Sequence, residues 1–387
     1  MFKHLAKTII LITLITLVSA CGPAATPVPP TATLVPAPPT ATPPTAALPT
    51  AISPTAAPPT VAPALATVAS QAINAETVAR LEELATFDLP DSYINTIVFS
   101  PDSRSMFTGD RNGRVLIWDR ETWKKTTYLP AQSTRAADDA AQVSFYGTQA
   151  LSPDGKTIVT AYGDDGAVTG RDRDGKELFA FSYGAEVYSV SFSPNGKYLA
   201  VGGAKSNIII FDLNTKQPTA NLVSDHEYVT VSVFSPDSKL LLVCYERPDN
   251  VMKTWDTAAW QETASFTHAT RRIDYHDVLF SPDGKELVIA TTEDVEIKFL
   301  DLATKKIVRE FPDHDRAPYQ IALSPDGSLL ASAGDDGTLR LWDMKTGVNV
   351  KTIRTYREAG AVAFSPDGAL IAFSVWGEGA QVWAAKP

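Results

Sequence analysis

The stretch "HDRAPYQIALSPDGSLLASAGDDGTLRLWD", His314 to Asp343, alternates apolar and polar residues, turns at Ser-Pro-Asp-Gly, alternates again, turns at Asp-Asp-Gly and ends on Trp-Asp. Alternation with a period of two marks a strand with one covered face. At the first turn Pro325 pre-sets φ, Asp326 bonds back to the local backbone and Gly327 takes the left-handed position, which closes a hairpin. The stretch therefore predicts three short antiparallel strands, "YQIALS", "SLLASAG" and "TLRLWD". A more polar fourth follows at "NVKTI".

The same grammar recurs seven times. The turn motif stands at Ser100, Ser152, Ser193, Ser235, Ser281, Ser324 and Ser365, with successive serines 52, 41, 42, 46, 43 and 41 residues apart. Nineteen to 21 residues after each serine comes the second member of an apolar-acidic pair or its remnant: Trp118-Asp119, Arg171-Asp172, Phe211-Asp212, Trp255-Asp256, Leu300-Asp301, Trp342-Asp343 and Trp383-Ala384. Two independent markers keep one phase, at a period that marks repeat architectures. Four short strands in roughly 40 residues make one blade of a β-propeller. The fold class is therefore all-β, a seven-bladed propeller.

These residues resemble the WD-repeat family of β-propellers, over about 300 residues from Leu84 to Ala384. The resemblance implies a buried hydrogen-bond set joining a His before the first strand, a Ser or Thr on the second, an Asp in the second turn and the Trp of the third. In the sixth repeat these are His314, Ser332, Asp336 and Trp342. Elsewhere the set is broken: the fourth repeat has Trp255 with His226 and Asp249 as candidates, and the first has Trp118 and Thr108 but Asn112 at the turn.

Strand bookkeeping supports the count of seven. The last repeat stops after its third strand, and an unassigned strand, Glu82 to Leu89, lies ahead of the first. Paired as the outer strand of blade seven, it closes the ring and hides two edges. The preceding "NAETVARLEEL" predicts a short helix capped by Asn74.

Ahead of the repeats the chain has a different character. "MFKHLAKTIILITLITLVSAC" has a basic start, an apolar run and small residues before a cysteine, the pattern of a secretory signal over residues 1–20. Leu17 to Cys21 resembles the lipobox of bacterial lipoproteins, which implies cleavage before Cys21, its diacylation and attachment to a membrane, with the propeller on the extracytoplasmic side. Residues 22–75 carry no charge, and half of the 28 prolines fall between Pro23 and Pro63, interleaved with Thr and Ala. Such a segment cannot pack a core, so residues 21–73 read as a disordered, extended tether reaching roughly 100 Å or more. The propeller domain then runs over 74–387.

Composition narrows the function. The chain has 34 Lys and Arg against 44 Asp and Glu, a net charge of −10. Without Lys3 and Lys7 the balance is 32 against 44, about −12. That argues against nucleic acid or anionic lipid as the partner, since both need basic surface. Besides Cys21 the one cysteine is Cys244, in the apolar run "KLLLVCYE", where it reads as a small buried residue. "HATRRIDYHD" holds His268, Asp274, His276 and Asp277 but completes no metal set. "RDRDG" lacks the ligand positions of a calcium loop. No nucleophile elbow or phosphate loop is present. The sequence therefore predicts no enzyme, cofactor or metal.

A propeller's remaining resource is its faces. The loops leading into each first strand and the second turns lie on one face, around the channel mouth. They carry Tyr93, Tyr228, Arg247, Arg271, Arg272, Tyr275, Arg316, Tyr319 and Trp376, with Tyr183 and Tyr356 beside them. Tyr, Trp and Arg dominate binding hot spots; equally, propeller aromatics pack between blades or cap the channel. Trp123 and Trp260 are expected to brace outer strands. The leading reading is a monomeric scaffold binding a protein or peptide through this face; the alternative is a propeller enzyme or carbohydrate-binding protein using the channel mouth.

Overall fold

A computed structural model describes residues 71–89, 93–110, 113–129, 148–162, 165–247, 250–266, 275–291, 295–311 and 314–386, without the side chains of Tyr128, Thr148, Arg247, Tyr275 and His276. The signal segment, Cys21 and the tether up to residue 70 lie outside the described residues.

Seven four-stranded antiparallel sheets form, each from strands consecutive in the chain except one. Blade 1 runs outward through Ile94–Phe99, Ser105–Asp110, Val115–Asp119 and Lys125–Leu129. Blade 6 runs through Pro318–Leu323, Leu329–Gly334, Thr338–Asp343 and Asn349–Arg354. In blade 7 the strands Ala359–Phe364, Leu370–Val375 and Gly379–Ala385 are completed on the outside by Leu81–Asp88, paired from Leu81↔Ala385 to Asp88↔Gly379. Inner strands touch their neighbours all the way round, blade 7 against blade 1 included. The protein is a seven-bladed β-propeller closed by its N-terminal strand.

The expected helix is shorter than its sequence suggests. Asn74 Oδ1 accepts the N–H groups of Glu76 and Thr77 at 2.9 and 3.1 Å, as a cap should, but only Val78–Arg80 coil, as a 3₁₀ turn. The strand claims the chain from Leu81, whose pairing with Ala385 leaves no room for further turns.

The middle strands supply the core. The four residues from Leu199 to Gly202 and the six from Leu329 to Gly334 are all buried, because each sheet is covered by a blade on both faces. Phe87 on the closing strand packs on Trp118 and Trp123 of blade 1, with ring centroids at 4.5 and 5.6 Å. Trp123 therefore braces blade 1 against the closing strand, and Trp260 does the same for blade 4 against Tyr198 of blade 3 at 5.0 Å.

One construction recurs in every blade, at the turn between inner and second strands. The motif serine donates its hydroxyl to the carboxylate two residues on, or to Asn195 in blade 3, at 2.6–2.7 Å. The same oxygen accepts the N–H five residues on at 2.8–2.9 Å. All seven serines are buried. Hydrogen bonds from the serine and the backbone hold Asp102, Asp154, Asp237 and Asp283 below the usual carboxylate range. Two blades place a serine where the turn needs a left-handed residue: Ser103 (φ 58) and Ser238 (φ 61). Both use the side chain across a blade boundary. Ser103 Oγ accepts the Asp367 N–H at 3.1 Å, and Ser238 Oγ accepts the Asn195 N–H at 3.0 Å.

Replacing Ser324 with Ala leaves the Leu329 N–H and the Asp326 carboxylate without their shared partner. Chemical denaturation of Ser324→Ala is expected to show a loss of about 1–3 kcal/mol, the cost of unpaired buried polar groups.

Candidate functional site

Two constellations compete for attention, one inside a blade and one at the channel mouth. Inside blade 6, His314 Nε2 lies 2.6 Å from Ser332 Oγ, and His314 Nδ1 lies 3.1 Å from Asp336 Oδ2. A Ser-His-Asp relay of this kind is also the geometry of nucleophilic catalysis. Here it is sealed: Ser332 has no exposed surface, and its hydroxyl oxygen takes a further hydrogen bond from Trp342 Nε1 at 2.9 Å. Asp336 accepts additionally from the N–H groups of Asp315 and Thr338, both at 3.1 Å, and pairs with Arg340 at 3.0 Å. Burial alone pushes this carboxyl up, but the hydrogen bonds from His314 and Thr338 outweigh it and hold the group well below the usual range. The set ties the loop before blade 6 to its second turn and third strand.

The other blades carry fragments of it. In blade 1 Trp118 Nε1 donates to Thr108 Oγ1 at 3.0 Å. In blade 2 Arg171 stands at the Trp position and reaches Thr160 Oγ1 at 3.5 Å, a weak bond. In blade 4 the register pairs Trp255 with Leu241, as Trp342 pairs with Leu330, so Val243 falls where Ser332 stands. Trp255 Nε1 is accordingly buried with no partner. His226 turns away to Asp225 at 2.7 Å and Ser224 at 3.2 Å, while Asp249 and Asn112 lie outside the described residues.

The second constellation gathers side chains from three blades. Trp376, in the second turn of blade 7, stacks on Tyr319 of blade 6 at 5.0 Å and 17°. It also meets Tyr93, in the loop into blade 1, at 5.8 Å and 70°. Gly360 makes this possible: a Cβ there would stand 2.4 Å from Trp376 Nε1 and 2.7 Å from Ser374 Oγ. Tyr319 is aimed by a β-bulge, since pairing of the inner strand skips from Pro318 to Gln320. Burial first, and the neighbouring Asp335 second, push its hydroxyl up and keep it protonated. Arg316 pairs with Asp335 at 3.4 Å and Arg357 with Glu378 at 3.7 Å on the same rim, and Tyr356 is fully exposed between them in sequence.

A second aromatic pair sits between blades 3 and 4. Tyr228, held at φ 52, lies 6.5 Å from Tyr188, whose hydroxyl donates to Glu186 at 3.1 Å. Tyr183 is a packing residue, buried and bonded through its hydroxyl to the Asn207 carbonyl at 2.8 Å. The side chains of Arg247 and Tyr275 and the whole of Arg271 and Arg272 lie outside the described residues; Arg247 and Tyr275 are placed at the end of Leu240–Arg247 and the start of Tyr275–Phe280. Sequence reasoning passed over Tyr188 and Gly360. Both occupy the place of Tyr319, five residues before the motif serine, and that register would have found them.

Residues 81–119, 175–212 and 305–343 match the WD40 family profile, "WD domain, G-beta repeat". These three segments are WD40 repeats. Each opens with the outer strand of one blade and ends with the third strand of the next, so every sequence repeat staples two blades together. The chain is 26% identical over 172 residues to a guanine nucleotide-binding protein subunit beta of Zea mays, covering 42% of this chain and 45% of that one. It is 26% identical over 224 residues to protein groucho of Drosophila melanogaster, covering 56% and 30%. It is 27% identical over 227 residues to the serine-threonine kinase receptor-associated protein of Gallus gallus, covering 57% and 61%. The chain thus spans between about a third and three fifths of the length of these relatives.

Two outcomes test this account of the blades. Val243→Thr keeps the volume and gives Trp255 Nε1 an acceptor, so thermal and urea denaturation should show a gain of about 1 kcal/mol. Because Asp336 is depressed in the fold, its contribution is fully present above pH ~4 and is lost as pH falls below that value. The stability gap between the parent and Asp336→Asn should therefore be widest at neutral pH and shrink steadily in acid melts.

Proposed function

We propose that this protein is a non-enzymatic recognition scaffold, lipid-anchored through Cys21, that binds a protein or peptide at the channel mouth through Tyr93, Tyr319 and Trp376. The observation that carries the reading is the aromatic trio itself. Three rings from blades 6, 7 and 1 meet on one rim, and the fold gives up a side chain at Gly360 to seat the central one. Core packing does not require this, because the apolar clusters shared by blades 6 and 7 and by blades 7 and 1 form without these three rings. Large aromatic surface beside paired charges is the make-up of an interaction hot spot.

The relatives' names support the class, since one is a subunit of a larger protein and another is receptor-associated. The anchoring part rests on the signal-like segment 1–20, the lipobox-like residues before Cys21 and the Pro/Thr-rich tether to residue 73. Strand direction supports the arrangement. Ile73 donates its N–H to Gly368 in the motif turn of blade 7 at 2.7 Å, so the chain joins the propeller on the turn face. The aromatic rim belongs to the loop face, at the opposite ends of the strands.

Cross-linking in intact cell envelopes tests the site. Trp376→Ala with Tyr319→Ala should weaken capture of the partner about 30-fold, the loss of roughly 2 kcal/mol expected at a hot spot. Val348→Lys, on the exposed outer edge of blade 6, should leave capture unchanged. Equal capture by all three proteins would refute the assignment. Cys21→Ser should abolish incorporation of labelled palmitate and release the chain from membranes; continued membrane retention without label would refute the anchor.

A further inference from the structure

Six of the seven motif turns carry aspartate two residues after the serine; blade 3 carries Asn195 there, directly before Gly196. Its surroundings are nevertheless those of a carboxylate. Asn195 Oδ1 accepts the Ser193 hydroxyl at 2.7 Å and the Lys197 N–H at 3.0 Å, the same two bonds that Asp154 takes in blade 2. A backbone N–H only donates, so Lys197 fixes which end of the amide faces the turn. In blades 2, 4 and 5 the lysine two residues beyond the carboxylate pairs with it, at 3.7, 3.4 and 3.2 Å. Lys197 holds that place in blade 3 but faces an amide, and it lies over the Tyr198 ring at 4.7 Å.

We propose that Asn195 is a self-modification site, converted within the folded protein to the aspartate that the other six turns carry. The Gly196 nitrogen adds to Asn195 Cγ and the Cγ–Nδ2 bond breaks. Nδ2 leaves as ammonia, taking the proton of the Gly196 nitrogen, and a succinimide ring remains. Water then adds to Cγ, the bond from Cγ to the Gly196 nitrogen breaks, the nitrogen regains a proton and a carboxyl group is left. Residues 195 and 196 are exposed, and even a Cβ on Gly196 would meet nothing within 4 Å, so neither the nucleophile nor water is obstructed. The bond from the Lys197 N–H folds the Asn195 side chain back over the peptide link that contains the attacking nitrogen. The Ser193 hydroxyl and the Lys197 N–H are aimed at the oxygen that gains negative charge as the nitrogen adds. Opposing the step is the bond from the Gly196 N–H to the Ser193 carbonyl at 2.8 Å, which has to open first.

The same donors direct the product. Water can also open the ring at the main-chain carbonyl of residue 195, which gives isoaspartate and puts a methylene into the backbone. Isoaspartate predominates when unfolded peptides react. In this turn the two donors polarise the side-chain carbonyl, and the backbone is clamped on both sides. The Asn195 N–H is held by Ser238 Oγ of blade 4 at 3.0 Å, and Ser193 is fully buried. Aspartate keeps that backbone and gives Lys197 a partner. The site lies on the turn face and does not depend on the reading of the aromatic rim.

Tandem mass spectrometry of peptides from the purified full chain, aged in mildly alkaline buffer, tests the proposal. In the folded chain residue 195 should accumulate as aspartate, in about 10-fold excess over isoaspartate, one hydrogen bond's worth of discrimination. The same chain aged in urea should show the reverse order, with isoaspartate in excess. Asn195→Asp, which starts at the end point, should melt at or above the Tm of the freshly prepared parent. Residue 195 still an amide in the folded chain after the urea sample has converted would overturn the proposal. The same product ratio in both states, or a lower Tm for Asn195→Asp, would do so equally.

Discussion

A buried serine hydroxyl that both donates and accepts, seven times over, is the constraint on which the rest of the propeller depends. A blade is a sheet only four strands wide, and its inner hairpin has to hold its twist while neighbours press on both faces. The motif achieves this with three residues. Proline sets one dihedral, the carboxylate takes the serine hydroxyl together with the N–H two residues beyond itself, and the hydroxyl oxygen receives the N–H that opens the next strand. The serine hydroxyl is used both as donor and as acceptor, so it can be buried at little cost while the proline and the carboxylate of the turn stay exposed. With the seven turns fixed, the second strands fall into register and the apolar core follows.

Against that uniformity, the His-Ser-Asp-Trp set is a local reinforcement. Blade 6 has it whole, blades 1 and 2 keep one bond each, and blade 4 retains a tryptophan whose indole N–H has lost its partner. The blades nonetheless share one architecture, so the set adjusts the firmness of individual blades without defining them. The joints between inner strands vary in the same way: Ser189, Asp277 and Gln320 each accept an N–H of the next blade, while Val231 and Ala361 at that position have no acceptor to offer. The frame is regular, and the variation is concentrated where blades meet and where loops surround the mouth.

What the sequence disclosed follows that division. The period, the turn chemistry and the unpaired first strand were enough to establish seven blades and the way they close, because each rests on backbone rules that leave a mark in residue type. The mouth was legible only as a roster of aromatic and arginine positions. That Tyr93, Tyr319 and Trp376 would meet, while Tyr183 would turn inward to bond a backbone carbonyl, depends on a bulge and on the empty space above Gly360. Neither follows from hydrophobic alternation. The fate of Trp255 needed the strand register, since Val243 looks like any other core residue until it is seen opposite an indole. The short 3₁₀ turn after Asn74 shows the same limit from another side: its capping chemistry was readable, but the competing claim of a strand partner roughly 300 residues away was not.

Closure by the N-terminal strand also fixes the order in which this chain can become a finished protein. Leu81–Asp88 is made first among the described strands, yet its partner Gly379–Ala385 is made last. Six blades can assemble as they emerge, each from contiguous sequence, while the earliest strand waits with its backbone unpaired. The final step joins the two ends of the domain across the largest loop in the molecule, the kind of contact that folds slowest. Without Gly379–Ala385 the propeller would keep most of its core but remain an open ring with two unpaired edges, at Leu81–Asp88 and Leu370–Val375.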